Sequence, residues 1–209
     1  MNLFAKIPGV KEFYLFFKEN IVYFFEKKKL NNLKRKKIIK LNLGVNKRST
    51  NDFVNIDYLN GDIAHNLEKT IPLDRDTVDE IYTSHTLEHF EFKKIIFILK
   101  ECERILKPGA KLRVCVPNAK LYIDSYSKGK IFDKRKNWYE PGVTNTDSLI
   151  DQINYIAYLN GQHKFLFDEE NLINIIKKSG FKNVTIRNFD KNIDLQERDY
   201  ESIYALAIK

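Results

Sequence analysis

The chain has 209 residues, enough for one domain of ordinary size with an appendage and a buried core. At 43% hydrophobic and 13% aromatic it is not compositionally disordered. The net charge of +8 sits entirely in residues 1–40, which hold eleven Lys/Arg and three Asp/Glu; residues 41–209 hold 25 of each sign, so the globular part lacks the basic bias of a nucleic-acid-binding domain.

Residues 10–30 read as a helix that is aromatic on most faces, followed by the basic run "EKKKLNNLKRKK". Its apolar runs "FYLFF" and "IVYFF" are split by Lys18-Glu19-Asn20, short of the roughly 18 continuous apolar residues a membrane span needs. No cleavable signal pattern is evident. The expected division is therefore an arm over 1–37 and one domain over 38–209. Three roles are open to the arm: packing on the domain or on a second copy as a homodimer, peripheral contact of residues 10–37 with an anionic membrane surface, and nucleic-acid binding, which the neutral remainder disfavours.

From Lys37 onward short apolar runs alternate with helical patterns. "IIKLNLG" is a strand entering a glycine turn, "FVNIDY" a strand ending in an acid, "DIAHNL" a short third strand and "VDEIYTS" a fourth. "FKKIIFILKECERIL" has helical spacing and is stopped by Lys107-Pro108-Gly109. "KLRVCVPN" is a fifth strand. A polar, aromatic-rich stretch covers 118–163, and its part 129–162 reads as an inserted substrate lid. The helix "DEENLINIIKKSG" and the strands "FKNVTIRNF" and "ESIYALAIK" close the chain. This alternation predicts an α/β, Rossmann-like, doubly wound and mostly parallel seven-stranded sheet with helices on both faces and an antiparallel strand at one edge. Cys102 and Cys115 fall in a helix and a strand and read as two buried thiols of a cytoplasmic protein.

In such a sheet, ligands bind at the carboxyl ends of the strands. Those ends carry "LNLGVN", Asp57, Asn66-Leu67 and Ser84-His85. The ordered segments "KLNLGVN", "FVNIDY", "HNLEKTIPL", "VDEIYTSHTLEHF", "LKECERILKPGAKLRVCVPN" and "HKFLFDEENLINIIKKSGFKNV" resemble the class I S-adenosylmethionine-dependent methyltransferases, in a small branch with DEIY-S-H-x-LEH and LKPGG-type motifs. The resemblance implies S-adenosylmethionine as cofactor, with Gly44 beneath its methionine portion, Asp57 on the ribose hydroxyls, Asn66 and the Leu67 backbone at the adenine, and Ser84-His85 near the sulfonium. Leu43, Asn46 and Tyr58 complete the implied set. Gly44-Val45-Asn46 departs from the family's G-x-G turn, and Asn66 replaces an acid; a catalytically degenerate binding or scaffold protein on the same fold is the alternative these departures raise. An NAD-dependent enzyme would need the G-x-G-x-x-G turn.

The resemblance further implies methylation, at oxygen, of a sugar or other small or glycan-linked acceptor in bacterial surface (capsule) polysaccharide biosynthesis, in the cytoplasm at the inner face of the membrane. A protonated hydroxyl is a poor nucleophile, so a base is needed; the candidates are His163, His85 and Tyr158. Tyr122 and the loop residues Trp138 and Tyr139 are the expected substrate contacts. The string His85-Thr86-Leu87-Glu88-His89 also matches H-x-x-E-H, a zinc-peptidase pattern. No third ligand lies near it in sequence, so Leu87-Glu88-His89 is read as the cap of the following helix and no metal is expected.

Overall fold

The computed structural model describes residue 26 and residues 29–44, 52–58, 61–132 and 146–209. Most of the expected arm, together with Asn46, Trp138 and Tyr139, lies outside the described residues. In chain order the elements are helix α1 (29–34), strands β1 (Lys40–Leu43), β2 (Val54–Asp57), β3 (Ile63–Ala64) and β4 (Val78–Ser84), helix α2 (Phe92–Ile105), strand β5 (Leu106–Pro117), helices α3 (Ala119–Ser127), α4 (Asp151–Tyr158) and α5 (Glu169–Lys178), and strands β6 (Asn183–Ile186) and β7 (Ser202–Ile208). The strands form one sheet in the order β3-β2-β1-β4-β5-β7-β6. β1 to β5 pair in parallel, and β7 runs antiparallel to both β5 and β6. The antiparallel strand thus lies one place in from the edge, where β6 closes the sheet.

Strand periodicity of two puts alternate residues on opposite faces. Leu41, Ile81, Leu112 and Ala207 stand in register across the sheet, all buried, and belong to the main core with residues of α2 and α5. The other face carries Lys40, Asn42, Glu80, Tyr82 and Arg113. Glu80 accepts from Arg113 Nε at 2.7 Å and has Lys40 Nζ at 3.7 Å, while Asn42 Nδ2 donates to Asn55 Oδ1 at 2.9 Å. On β1, β4 and β5 these side chains make a polar ladder. The connection after β6 is pinned beside that ladder by a bidentate pair: Arg187 donates to Asp194 at 2.5 and 2.7 Å, and Asp194 also accepts from Tyr82 Oη at 3.2 Å.

Two local devices set the loops that border the ligand end. Glu101 on α2 accepts from the Ile71 N–H at 2.8 Å and from Arg104, whose guanidinium also donates to the Ile71 and Leu73 carbonyls. This holds the "TIPL" segment that follows Asn66-Leu67. Asp168 caps α5 by accepting from the Asn171 N–H at 2.7 Å, with Glu169 and Glu170 in the first turn and Lys177 and Lys178 in the last, as the helix dipole favours.

Leu30 and Leu33 of α1 are buried in the main core, Lys29 Nζ donates to the Asp62 carbonyl at 2.9 Å and Lys34 Nζ meets Asp74 at 3.1 Å. Packing is therefore continuous across residues 37 and 38, and the 29–34 part of the expected membrane-contact span is engaged with the domain. A smaller cluster joins α3 to α4 through Tyr122, Tyr155, Ile156 and Leu159. Tyr122 is fully buried there and donates to Glu201 Oε2 at 2.6 Å, so it is a core residue where a substrate contact was expected. Both cysteines are free and buried, and burial pushes each thiol up to about 12. Among the described residues no helix is long and apolar enough to cross a membrane.

Candidate active site

β1 delivers Gly44 to the carboxyl end of the sheet with φ +81°, the left-handed region that glycine enters without strain. A Cβ built on Gly44 would lie 2.1 Å from Thr86 Oγ1, so the position also requires the absence of a side chain. Thr86 Oγ1 lies 3.2 Å from the Leu43 carbonyl and 3.1 Å from the Ser84 carbonyl, tying the ends of β1 and β4 together. β2 ends at Asp57. A cleft of about 500 Å³ opens over these ends, lined by Gly44, Asp57, Tyr58, Asn66, Leu67 and His85, and also by His65, Glu68, Thr86, His89 and Phe90.

Behind it lies a second, smaller cavity of about 180 Å³. Its walls are the end of β4, the 3₁₀ turn Leu87–His89, α4 and the 3₁₀ turn Gln196–Glu201, and its polar lining includes Ser84, His85, Glu88, His89, His163, Arg198 and Glu201. His85 and His89 line both cavities and form the wall where they meet.

A sequence model of the methyltransferase domain matches residues 18–186. The chain belongs to this methyltransferase family. Its cofactor is S-adenosylmethionine. No curated protein matches the sequence significantly. The fold is shared with solved S-adenosylmethionine-dependent methyltransferases from Archaeoglobus fulgidus (15% identity, 94% of this chain and 99% of that one, TM-score 0.51) and Thermotoga maritima (17% identity, 96% of each chain, TM-score 0.50). One from Mesorhizobium loti is similar at 14% identity, 82% of this chain, 91% of that one and TM-score 0.50.

In the methyltransferase, the expected cofactor residues Gly44, Asp57, Tyr58, Asn66, Leu67 and His85 converge on the outer cleft. Leu43 does not line it: its side chain is in the core, and its carbonyl accepts from Thr83 Oγ1 at 3.0 Å. Ser84 lines the inner cavity instead. Asp62 accepts from Asn55 N and Nδ2 at 2.8 and 2.9 Å and holds the β2–β3 turn. Of the base candidates, His85 and His163 face the inner cavity, whereas Tyr158 is 62% exposed and lines neither cavity. The α4 part of the expected lid does border the inner cavity, through Tyr155 and Ile156.

Outer hydrogen bonds fix the tautomers of the three imidazoles. His163 Nδ1 donates to the Ile156 carbonyl at 2.7 Å and His89 Nδ1 to the Gln162 carbonyl at 3.0 Å, since a carbonyl can only accept. His85 Nε2 meets Ser202 Oγ at 2.9 Å; the Ser202 hydroxyl donates to the Arg198 carbonyl at 2.6 Å, so the ring nitrogen is the donor. The other nitrogen of each ring is thereby left as a lone pair. His85 is held in the left-handed region at φ +48°, an uncommon conformation for a side-chain-bearing residue that places its ring between the cavities.

Burial lowers the pKa of all three histidines: His85 well below the ordinary value, with Arg198, His163 and His89 adding to the effect, and His89 and His163 against the opposing pull of their carbonyl partners. Burial pushes Glu88 up to about 8. Glu88, His89, Arg198 and Glu201 were not among the expected site residues. The first two stand in the quoted "TLEH" string, where they read as a helix cap; Arg198 and Glu201 in "QERDYE" carry no local signal.

Proposed function

We propose that this methyltransferase acts at oxygen, with cofactor bound in the outer cleft and a hydroxyl of a small or glycan-linked acceptor bound in the inner cavity. The observation that carries this reading is the meeting of the two cavities at His85. On the outer side, strand-end residues provide a bare glycine, a carboxylate and an amide. On the inner side, imidazoles and carboxylates provide polar partners for a hydroxylated molecule.

The outer cleft suits the cofactor. Its volume is that of a small-molecule site. Gly44, with Thr86 packed against it, keeps the β1 end turned along the cleft, and Asp57 brings a carboxylate suited to a ribose diol. Asn66 holds its turn by accepting from the Glu68 N–H at 2.9 Å, which leaves its amide nitrogen for a base edge. S-adenosylmethionine supplies an electrophilic methyl on a sulfonium whose sulfur is a good leaving group. The chain's own work is then to orient and to manage one proton. His85 Nδ1 would take the acceptor's proton as the hydroxyl oxygen took up the methyl group, the sulfur leaving as a neutral thioether. His163 acts as an acceptor ligand on the opposite wall.

A sugar or sugar-linked acceptor, of the kind made for bacterial surface polysaccharide at the cytoplasmic membrane face, suits the polar lining and the aromatic, basic N-terminal sequence. The test is calorimetric titration with S-adenosylhomocysteine, followed by methyl transfer to sugar acceptors. Micromolar binding, about −8 kcal/mol, that Asp57→Ala abolishes is the expected result. Absence of binding by the wild type would replace this reading with that of a non-catalytic protein on the same fold.

A further inference from the structure

We propose that Glu88, His89 and His163 form a divalent-cation site in the wall of the inner cavity, of the zinc type, whose open position takes the acceptor oxygen. This deepens the oxygen-methylation reading and rests on it. The three side chains bring one carboxylate oxygen and two ring nitrogens within 4.8 Å of one another, and all three line the cavity.

Glu88 supplies the independent observation. It is 1% exposed, and neither of its carboxylate oxygens has a hydrogen-bond partner. A buried carboxyl with neither oxygen hydrogen-bonded is costly to hold in either protonation state. Two ring nitrogens lie near it, His89 Nε2 at 3.8 Å and His85 Nδ1 at 3.7 Å from Glu88 Oε1, and the Arg198 guanidinium acts on it across the cavity. Both separations are too long for hydrogen bonds. They are close to the spacing of neighbouring ligands on a tetrahedral ion, roughly 3.4 Å for bonds of about 2.0–2.2 Å. Arg198 and Glu201, of opposite charge, line the same cavity and add no net charge to it.

The outer hydrogen bonds point the same way. His89 and His163 each donate Nδ1–H to a backbone carbonyl, which turns Nε2 inward as a lone pair and stiffens the ring. That is the support metal-bound histidines receive in general. Two imidazoles and a carboxylate suit a borderline cation such as Zn²⁺ and leave a position free for an oxygen. A cation there would lower the pKa of a bound hydroxyl and so ease the loss of its proton. The H-x-x-E-H string thus contributes two ligands, though not the pair of histidines its pattern implies, and the third comes from the segment after α4.

The experiment is a Co²⁺ titration of the full-length protein after dialysis against EDTA, read by visible absorption and by competition with Zn²⁺. One equivalent is expected to bind and to be displaced by Zn²⁺. Glu88→Gln and His163→Ala are each expected to weaken binding at least about tenfold, with circular dichroism showing both folded. Should His163→Ala not fold, the isosteric Glu88→Gln carries the test. Absence of saturable Co²⁺ binding, or binding that the folded variants retain, overturns the site. S-adenosylhomocysteine is titrated in parallel: its binding without Co²⁺ binding overturns the cation site alone, and Co²⁺ binding without it supports the cation site and overturns the reading it deepens.

Discussion

Gly44 shows how one residue couples fold to site. Its positive φ and the contact with Thr86 are separate constraints, and alanine violates both. Gly44→Ala is expected to cost about 1–3 kcal/mol in urea unfolding and to weaken S-adenosylhomocysteine binding. Adding Thr86→Ala relieves the two nearest clashes but not the backbone strain, so the double variant recovers only part of the loss. Full recovery would show that the left-handed conformation contributes nothing. Gly44 and Asp57 were legible because each closes a strand, and strand ends are where this architecture binds ligands. Glu88 was not, because a carboxylate in a turn after a strand is ordinarily solvated; its burial comes from α4 and the 196–201 turn, which no local pattern places there.

Among the elements, α2 is more than an amphipathic cover. Burial opposes ionisation of Glu101, but the hydrogen bonds from Arg104 and the Ile71 N–H outweigh it and hold the carboxyl below its ordinary value of 4.5. A folded pKa below the unfolded one gives stability that is present above the unfolded value and lost as pH falls through the folded value. Glu101→Gln is therefore expected to be less stable than wild type by about 1–2 kcal/mol at pH 7, with the gap narrowing as pH falls below 4.5. Urea unfolding at the two ends of that range measures it, and a gap that holds constant would sink the account. The helix itself was legible from its apolar spacing. The clamp was not, since Ile71 and Leu73 carry no mark of being donor and acceptor to a helix thirty residues on. The polar sheet face, by contrast, was written plainly in the alternation of "KLNL", "EIYTS" and "KLRVCV".

At the scale of the whole molecule, α1 ties the N-terminal sequence to the domain through Leu30 and Leu33. Leu33→Ala is expected to cost about 2–5 kcal/mol, as for other buried leucines. Deleting residues 1–25 is expected to leave the melting temperature near that of wild type and to abolish sedimentation with anionic vesicles. If the deletion instead dissolves a dimer and leaves vesicle binding intact, the role of residues 1–25 is at the subunit interface and not at the membrane. The chain order of the strands with α2 and α5, the ligand end of the sheet and the family motifs were determined by the sequence alone, because each rests on short-range periodicity or on a turn residue at a strand end; α3 and α4 were not read in the polar stretch 118–163. The inner cavity was decided only by tertiary structure. Its walls join residues 84–89 to residues 155–163 and 198–201, and which distant side chains share a dry pocket depends on how helices and turns pack over the sheet rather than on any spacing along the chain.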